Sequence, residues 1–131
     1  MNNKQQSELS VIIKAKDLCK YITQITHKCP KHFRFTFVTR LQNLALSIIE
    51  NLYRANDTFV GGNMPQAQAI RLDFQHKALN DTRLLAYFAE LALEAGCIIL
   101  KQYEQISFKT TEVMRMIGAW INSDRKRFSF S

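Results

Sequence analysis

Apolar residues recur along this chain at steps of three and four, in four long stretches separated by short polar segments. This spacing places apolar side chains along one face of an α-helix, so each stretch predicts an amphipathic helix. The four predicted helices cover about residues 8–27, 33–55, 64–95 and 99–122, and a basic tail follows over residues 123–131. The pattern is densest in the last helix, where it runs through Ile99, Tyr103, Ile106, Thr110, Val113, Ile117 and Trp120.

The other three predicted helices each carry one apolar stripe as well. Four amphipathic helices with short connections bury their stripes together in an all-α, up-down-up-down four-helix bundle. We therefore expect a single domain over residues 1–131. The predicted inward positions are Val11, Ala15, Leu18, Ile22 and Ile25 in the first helix, Val38, Leu41, Ala45, Ile48 and Leu52 in the second, and Ala67, Ile70, Phe74, Ala78, Leu85, Phe88, Ala92 and Ala95 in the third.

Proline, glycine and asparagine mark the connections between these helices. Pro30 has no N–H to donate and restricts the residue before it, so it ends one helix or opens the next. The segment 56–63 reads as a loop, and Asn63 is the predicted cap of the third helix. Gly96 is expected to end that helix in the left-handed conformation.

Helices 2, 3 and 4 have more apolar positions than one narrow stripe needs. This surplus predicts self-association through a second buried face, although a wide core stripe is an open alternative. In the last helix, Gly118 precedes Trp120 and Ile121, and its lack of a side chain would let a neighbouring helix approach. The surplus positions are Leu84, Tyr87, Leu91 and Leu93 in helix 3 and Met114, Met116 and Ile121 in helix 4.

The formal charge of +7 is unevenly distributed. Residues 1–56 carry nine Lys and Arg against three Asp and Glu, which gives +6, whereas residues 57–131 carry nine against eight, which gives +1. A one-sided basic surface favours an acidic partner, most commonly nucleic acid. Charge alone is equally compatible with lysines that only keep a small protein soluble.

Six cations are the candidates for binding a nucleic acid. Lys16 and Lys20 lie opposite the core stripe of helix 1, where Asp17 can pair with Lys14 or Lys20. Three more lie in the connection after helix 1, which also contains His32 and Phe33. The last, Arg40, has no acidic residue three or four positions away. A merely solvated lysine face is the alternative for helix 1. The candidates are Lys16, Lys20, Lys28, Lys31, Arg34 and Arg40.

Catalytic and metal-binding patterns are missing from the sequence. The three histidines do not pair with a serine or cysteine in a recognisable motif, and Cys29-x-x-His32 is only half of a zinc spacing. We therefore expect no enzyme activity, no metal and no cofactor. Met1–Glu8 is polar and no stretch approaches the roughly 20 apolar residues of a membrane span, so we expect a cytoplasmic protein with free thiols.

One run in the last helix carries a family resemblance. The segment Arg115–Met116–Ile117–Gly118–Ala119–Trp120–Ile121 resembles the arginine, glycine and tryptophan run of the accessory variability determinant proteins of diversity-generating retroelements. The basic start of helix 2 at Lys31–His32, the length and the helix order are also similar. Wider relatives are the four-helix bundles encoded in intervening sequences of large-subunit ribosomal RNA genes.

The resemblance implies a non-enzymatic partner of an error-prone reverse transcriptase. Proteins of that family form barrel-shaped homopentamers, bind RNA and DNA through a basic outer surface, and are required for mutagenic retrohoming. They have no fixed basic motif, so the six candidate cations come from the charge pattern alone. The alternatives are a ribosomal RNA intervening-sequence protein or a structural bundle that binds only protein.

Overall fold

The computed structural model describes residues 3–62 and 64–128, with side chains described from Ser10 onward. Four long helices, α1 (Asn3–Thr26), α2 (Thr39–Asp57), α3 (Pro65–Glu94) and α4 (Leu100–Phe128), account for most of this part of the chain, which contains no strand. A 3-10 turn at Lys31–Phe33 and a π-helical turn at Arg34–Val38 precede α2. The all-α fold class is therefore confirmed.

The helices pack in a ring, with α1 against α2 and α4, and α3 against α2 and α4. Side-chain contacts show that neighbours are antiparallel. Ser47 of α2 reaches Asp81 of α3, while Arg40, earlier in α2, lies over Phe88, later in α3. On the other side of the bundle Asp17 of α1 reaches Lys109 of α4, while Lys14, earlier in α1, acts on Glu112, later in α4. The resulting topology is up-down-up-down.

The predicted stripes of α1, α2 and α4 form most of the core. Every predicted inward residue of α1 is buried, and so are four of the five in α2, with Val38 half-buried. In α4 the stripe is buried from Ile106 to Trp120, but Ile99 precedes the helix and is exposed, and Ile98 takes a buried place instead.

The first half of α3 buries a different face from the predicted one. Ile70 is 52% exposed, while the neighbouring Arg71 is only 4% exposed. The buried positions follow a regular three-and-four spacing that the polar residues conceal. Three polar residues can occupy these buried positions because each donates a hydrogen bond inside the protein. Arg71 and Gln75 donate to Asp124, and Thr82 donates to the carbonyl of Ala78. The buried positions of α3 are Arg71, Gln75, Ala78, Thr82, Leu85, Ala89 and Ala92.

Glycine ends α3 as predicted. Gly96 has a φ of 85°, its N–H donates to the carbonyl of Leu93, and the N–H of Cys97 donates to the carbonyl of Ala92. This pair of hydrogen bonds is the Schellman arrangement, which a left-handed glycine permits. Pro65 opens α3, where its missing N–H costs nothing. The predicted cap Asn63 lies outside the described residues.

The last helix is longer than predicted, since α4 continues to Phe128 instead of ending at Asn122. The expected tail is therefore helical over 123–128, and residues 129–131 lie outside the described part. Asp124 explains the extension, because it is buried and accepts hydrogen bonds from α3. Within residues 3–62 and 64–128, no helix combines the length and the apolar character needed to span a bilayer.

Candidate nucleic-acid interface

Lys16 and Lys20 lie side by side on the outer face of α1. Both are exposed, and together with Thr23 and Gln24 they line a surface groove of about 430 Å³ between α1 and α2. Cys19 and, from α2, Ile49 supply its apolar lining. An apolar floor with two ammonium groups at the rim suits a ligand that is partly flat and partly anionic.

The acidic residue predicted to neutralise this face is used elsewhere. Asp17 binds Nζ of Lys109 on α4 at 2.7 Å, so the prediction that it pairs with Lys14 or Lys20 is wrong. Lys14 instead faces α4, where it contributes to lowering the pKa of Glu112, which is lowered chiefly by the hydrogen bond from Arg115. Lys20 and its neighbour Lys16 consequently have no ion-pair partner among the described residues.

The connection between α1 and α2, residues 27–38, exposes three further cations. Pro30 is extended, with φ −55° and ψ 139°, and turns the chain from α1 into the 3-10 and π-helical turns. Lys28, Lys31 and Arg34 are all exposed along this path. In the described part of the chain none of the three side chains forms an ion pair.

Aromatic rings hold this connection against the bundle. Phe33 and Phe37 are half-buried against the core, with their ring centroids 6.0 Å apart, and the ring of His32 packs against Phe33 at 4.0 Å with the two planes tilted by 41°. The backbone is secured where the N–H and the hydroxyl of Thr39 both donate to the carbonyl of Arg34. The basic segment is therefore an ordered part of the fold.

Arg40 does not join the other candidates. Its guanidinium carbon lies 5.3 Å from the ring centroid of Phe88, on the side of α2 that faces α3. Ile49, in the groove beside Lys16, is nine residues further along, which is about two and a half helical turns and places it on the opposite flank of α2. The six predicted residues thus fall into three places: two lysines beside the groove, three cations in the α1–α2 connection, and Arg40 by itself on the side of α2 that faces α3.

Two thiols meet where the α1–α2 and α3–α4 connections come together. Sγ of Cys29 donates to the carbonyl of Cys97 at 3.1 Å. Burial raises the pKa of the Cys97 thiol to about 12, with a smaller contribution from its hydrogen bond with Cys29. The basic connection is therefore at the same end of the bundle as the start of α4.

The opposite end contains a buried polar cluster that sequence reasoning missed. Arg71 of α3 donates two hydrogen bonds to the carboxylate of Asp124 in α4, from Nε at 2.8 Å and from Nη2 at 3.0 Å. Gln75 donates a third to the same carboxylate at 2.9 Å. The guanidinium carbon lies 4.9 Å from the ring centroid of Trp120. The unbroken three-and-four spacing through Arg71 and Gln75 was the only sequence signal.

The run that carries the family resemblance belongs to this end. Trp120 and Ile121 are buried in the core, at 2% and 6% exposure. A Cβ placed at Gly118 would meet no atom of the described residues within 4 Å, so the close approach by a neighbouring helix does not occur within the chain, and an approach by another copy stays a prediction. No helix of the same chain uses the space that this glycine leaves, since the residue lies to one side of the buried stripe.

The fold and these surfaces define an all-α four-helix bundle in which most of the net positive charge belongs to residues 1–56, with +6 of the total +7. Among the described residues, no group of three or more His, Cys, Asp or Glu is placed to hold a metal ion. No protein-family model matches the chain, and a search of curated proteins finds no match.

A solved structure is similar over almost the whole chain. It is a protein with unknown function from the S23 ribosomal protein family, from Bacteroides thetaiotaomicron VPI-5482. The alignment covers 92% of this chain and 99% of that chain, with a TM-score of 0.71 and 17% sequence identity. At this identity the likeness shows a shared fold.

Proposed function

We propose that this protein is a non-enzymatic nucleic-acid-binding accessory factor that assists a diversity-generating retroelement reverse transcriptase. One observation carries the binding function: Lys16, Lys20 and the three cations of the connection are exposed and lack ion-pair partners among the described residues. The other exposed cations include several that are neutralised locally. Arg54 binds Glu50, Lys77 binds Asp73 and Arg115 binds Glu112.

Unpaired cations on an ordered surface favour a polyanion because phosphates replace the missing carboxylates and release counterions. The segment 18–49 contains five Lys and Arg and no Asp or Glu. The two acidic residues near the end of α3, Glu90 and Glu94, are exposed and form no ion pair with the connection. The field at this surface is therefore positive, as phosphate binding requires.

The retroelement role rests on the resemblance of the Arg115–Ile121 run. A homopentameric assembly belongs to the same proposal and is supported by an exposed apolar row on α3 that the monomer leaves open. Leu84, Tyr87 and Leu91 are spaced by three and four residues and are all exposed. Co-purification of the tagged protein with a co-expressed diversity-generating retroelement reverse transcriptase, and its mass by light scattering, test these two parts.

The binding function is tested by fluorescence anisotropy with labelled RNA and duplex DNA over a range of salt concentrations. Reversing Lys28, Lys31 and Arg34 to Glu should weaken binding and lower the slope of log affinity against log salt by roughly 2 to 3, because each lost phosphate contact removes about 0.7–0.9. An unchanged slope would show that the connection does not bind phosphate.

The matched control reverses three cations that are already paired, Arg54, Lys77 and Arg115. It changes the net charge equally, so a specific site predicts a much smaller loss of affinity than in the first variant. Equal losses would mean that only net charge matters. No binding by the wild-type protein at low salt would favour a bundle that binds only protein.

The structural neighbour supports a second candidate, a protein associated with ribosomal RNA, because that neighbour belongs to the S23 ribosomal protein family and the folds agree over nearly the full length. Sedimentation of the protein with ribosomal subunits in sucrose gradients would favour this candidate. Co-purification with the reverse transcriptase, without ribosomal subunits, would favour the retroelement role.

A further inference from the structure

Phe35 is the most exposed of the large apolar side chains in the described part of the chain. This residue is 87% exposed, although phenylalanine is among the residues most often buried in folded proteins. It lies in the π-helical turn Arg34–Val38, between Phe33 and Phe37. Those two rings face the core, so the intervening ring is directed to the solvent.

Single exposed apolar residues are common on proteins, so exposure alone indicates nothing. The setting of Phe35 is what distinguishes it. Arg34 is adjacent, Lys31 is one turn earlier, and both are exposed without ion-pair partners in the described residues. Phe108, which is 71% exposed on α4, lacks this setting because its neighbour Lys109 is already bound to Asp17.

We propose that Phe35 is a stacking platform for an unpaired base of single-stranded nucleic acid, whose flanking phosphates are bound by Lys31 and Arg34. This inference rests on the proposed nucleic-acid-binding function and adds the class of substrate. Proteins that bind single strands combine a basic track with exposed aromatic rings, since every base presents a face that can stack. Bases inside a duplex are stacked on each other and cannot reach such a ring.

The structure makes the platform rigid. The turn that carries Phe35 is fixed on both sides by the half-buried rings of Phe33 and Phe37 and by the two hydrogen bonds from Thr39 to the carbonyl of Arg34. A short π-helical turn is rare and is found frequently at functional sites. A ring on a rigid support loses little conformational freedom when a base stacks on it.

The test compares Phe35→Ala with Phe108→Ala, using a labelled single strand, the same strand with abasic positions, and the corresponding duplex. Phe35→Ala should weaken single-strand binding by roughly 5- to 150-fold, the range measured for loss of one stacked base. Binding to the duplex and to the abasic strand should change little, because those ligands offer no base to the ring. Phe35→Trp should retain single-strand affinity.

Other outcomes would overturn the inference in distinguishable ways. If Phe35→Ala binds the single strand as well as Phe108→Ala does, the ring is not a platform, while salt-dependent wild-type binding would leave the proposed function standing. A changed assembly mass with unchanged affinity would assign Phe35 to a protein interface. Failure of the wild-type protein to bind any of the three probes would reject the proposed function itself.

Discussion

The buried ion pair between Arg71 and Asp124 offers the sharpest test of what stabilises this bundle. Both side chains are only 5% exposed, and Asp124 accepts two hydrogen bonds from Arg71 and one from Gln75. Replacing Asp124 with Asn keeps the shape but removes the charge that compensates the buried guanidinium. Breaking one side of such a buried pair costs about 3–5 kcal/mol, because the remaining buried charge loses a compensating charge.

This loss is a large part of the roughly 5–15 kcal/mol that separates folded from unfolded domains. With a urea dependence of about 2 kcal/mol per molar, the midpoint of Asp124→Asn should fall by roughly 1.5–2.5 M. Glu50→Gln is the matched control, since its ion pair with Arg54 has the same 2.8 Å distance but side chains that are 53% and 59% exposed. Solvent screening limits such a pair to at most about 1 kcal/mol, so the control midpoint should fall by less than about 0.5 M.

A double replacement separates the charge effect from packing. In Arg71→Met with Asp124→Leu both charges leave together, so most of the lost stability should return. The reasoning would be refuted if Asp124→Asn lost no more stability than Glu50→Gln. It would also fail if the double variant were no more stable than Asp124→Asn, since the loss would then come from the shape of the cluster and not from an uncompensated charge.

Three further predictions concern other parts of the bundle. Gly118→Ala should raise the free energy of unfolding by about 0.5–1 kcal/mol in thermal melts of the monomer, because the added methyl group meets open space; a loss of stability or of assembly would instead place another copy of the chain there. Asp81→Ala should cost about 1–3 kcal/mol in urea unfolding, because Ser47 and Asn51 of α2 both donate to its carboxylate, and a change below 0.5 kcal/mol would contradict this role. The raised pKa of Cys97 favours the neutral thiol in the folded protein, so its contribution to stability is complete below about pH 8.5 and is lost as the pH rises toward about 12. The free energy of unfolding measured above about pH 9 should therefore fall less in Cys97→Ala than in the wild-type protein. Cys97 should also react with iodoacetamide more slowly in the folded than in the unfolded protein.

The fold was predictable where hydrophobicity and burial coincide. The apolar stripes of α1, α2 and the middle of α4 form most of the core, and Thr110, the one polar residue of the predicted stripes, donates its hydroxyl to the carbonyl of Ser107. The prediction failed in the first half of α3, where Ile70 was assigned inward and Arg71 was not among the predicted inward positions. Hydrophobicity cannot anticipate that an arginine will be buried when the carboxylate that compensates it, Asp124, lies 53 residues away in sequence.

The candidate interface shows the same limit for surface charges. Sequence spacing assigned Asp17 to lysines three residues away, but its partner is Lys109, 92 residues further along the chain. The helix-wheel position of Lys16 and Lys20 was enough to place them opposite the core, whereas the separation of Arg40 from them depends on how α2 packs against α3. The direction of Phe35 follows from its two inward-facing neighbours, a pattern that only the packed connection makes evident.

The two ends of the bundle use their charges for different purposes, and this makes stability and binding separable. At the end of the bundle where α3 begins and α4 ends, the charge of Arg71 is paired with Asp124 inside the protein. Asp124→Asn should therefore lower the urea midpoint without changing the salt slope of nucleic-acid binding in the fraction that stays folded. At the connection, Lys31 and Arg34 have no carboxylate partner among the described residues, so reversing them should alter the salt slope and leave the urea midpoint almost unchanged. If charge reversal at the connection destabilised the bundle as strongly as Asp124→Asn does, these cations would have structural partners, and the argument that they are kept free for phosphates would fail.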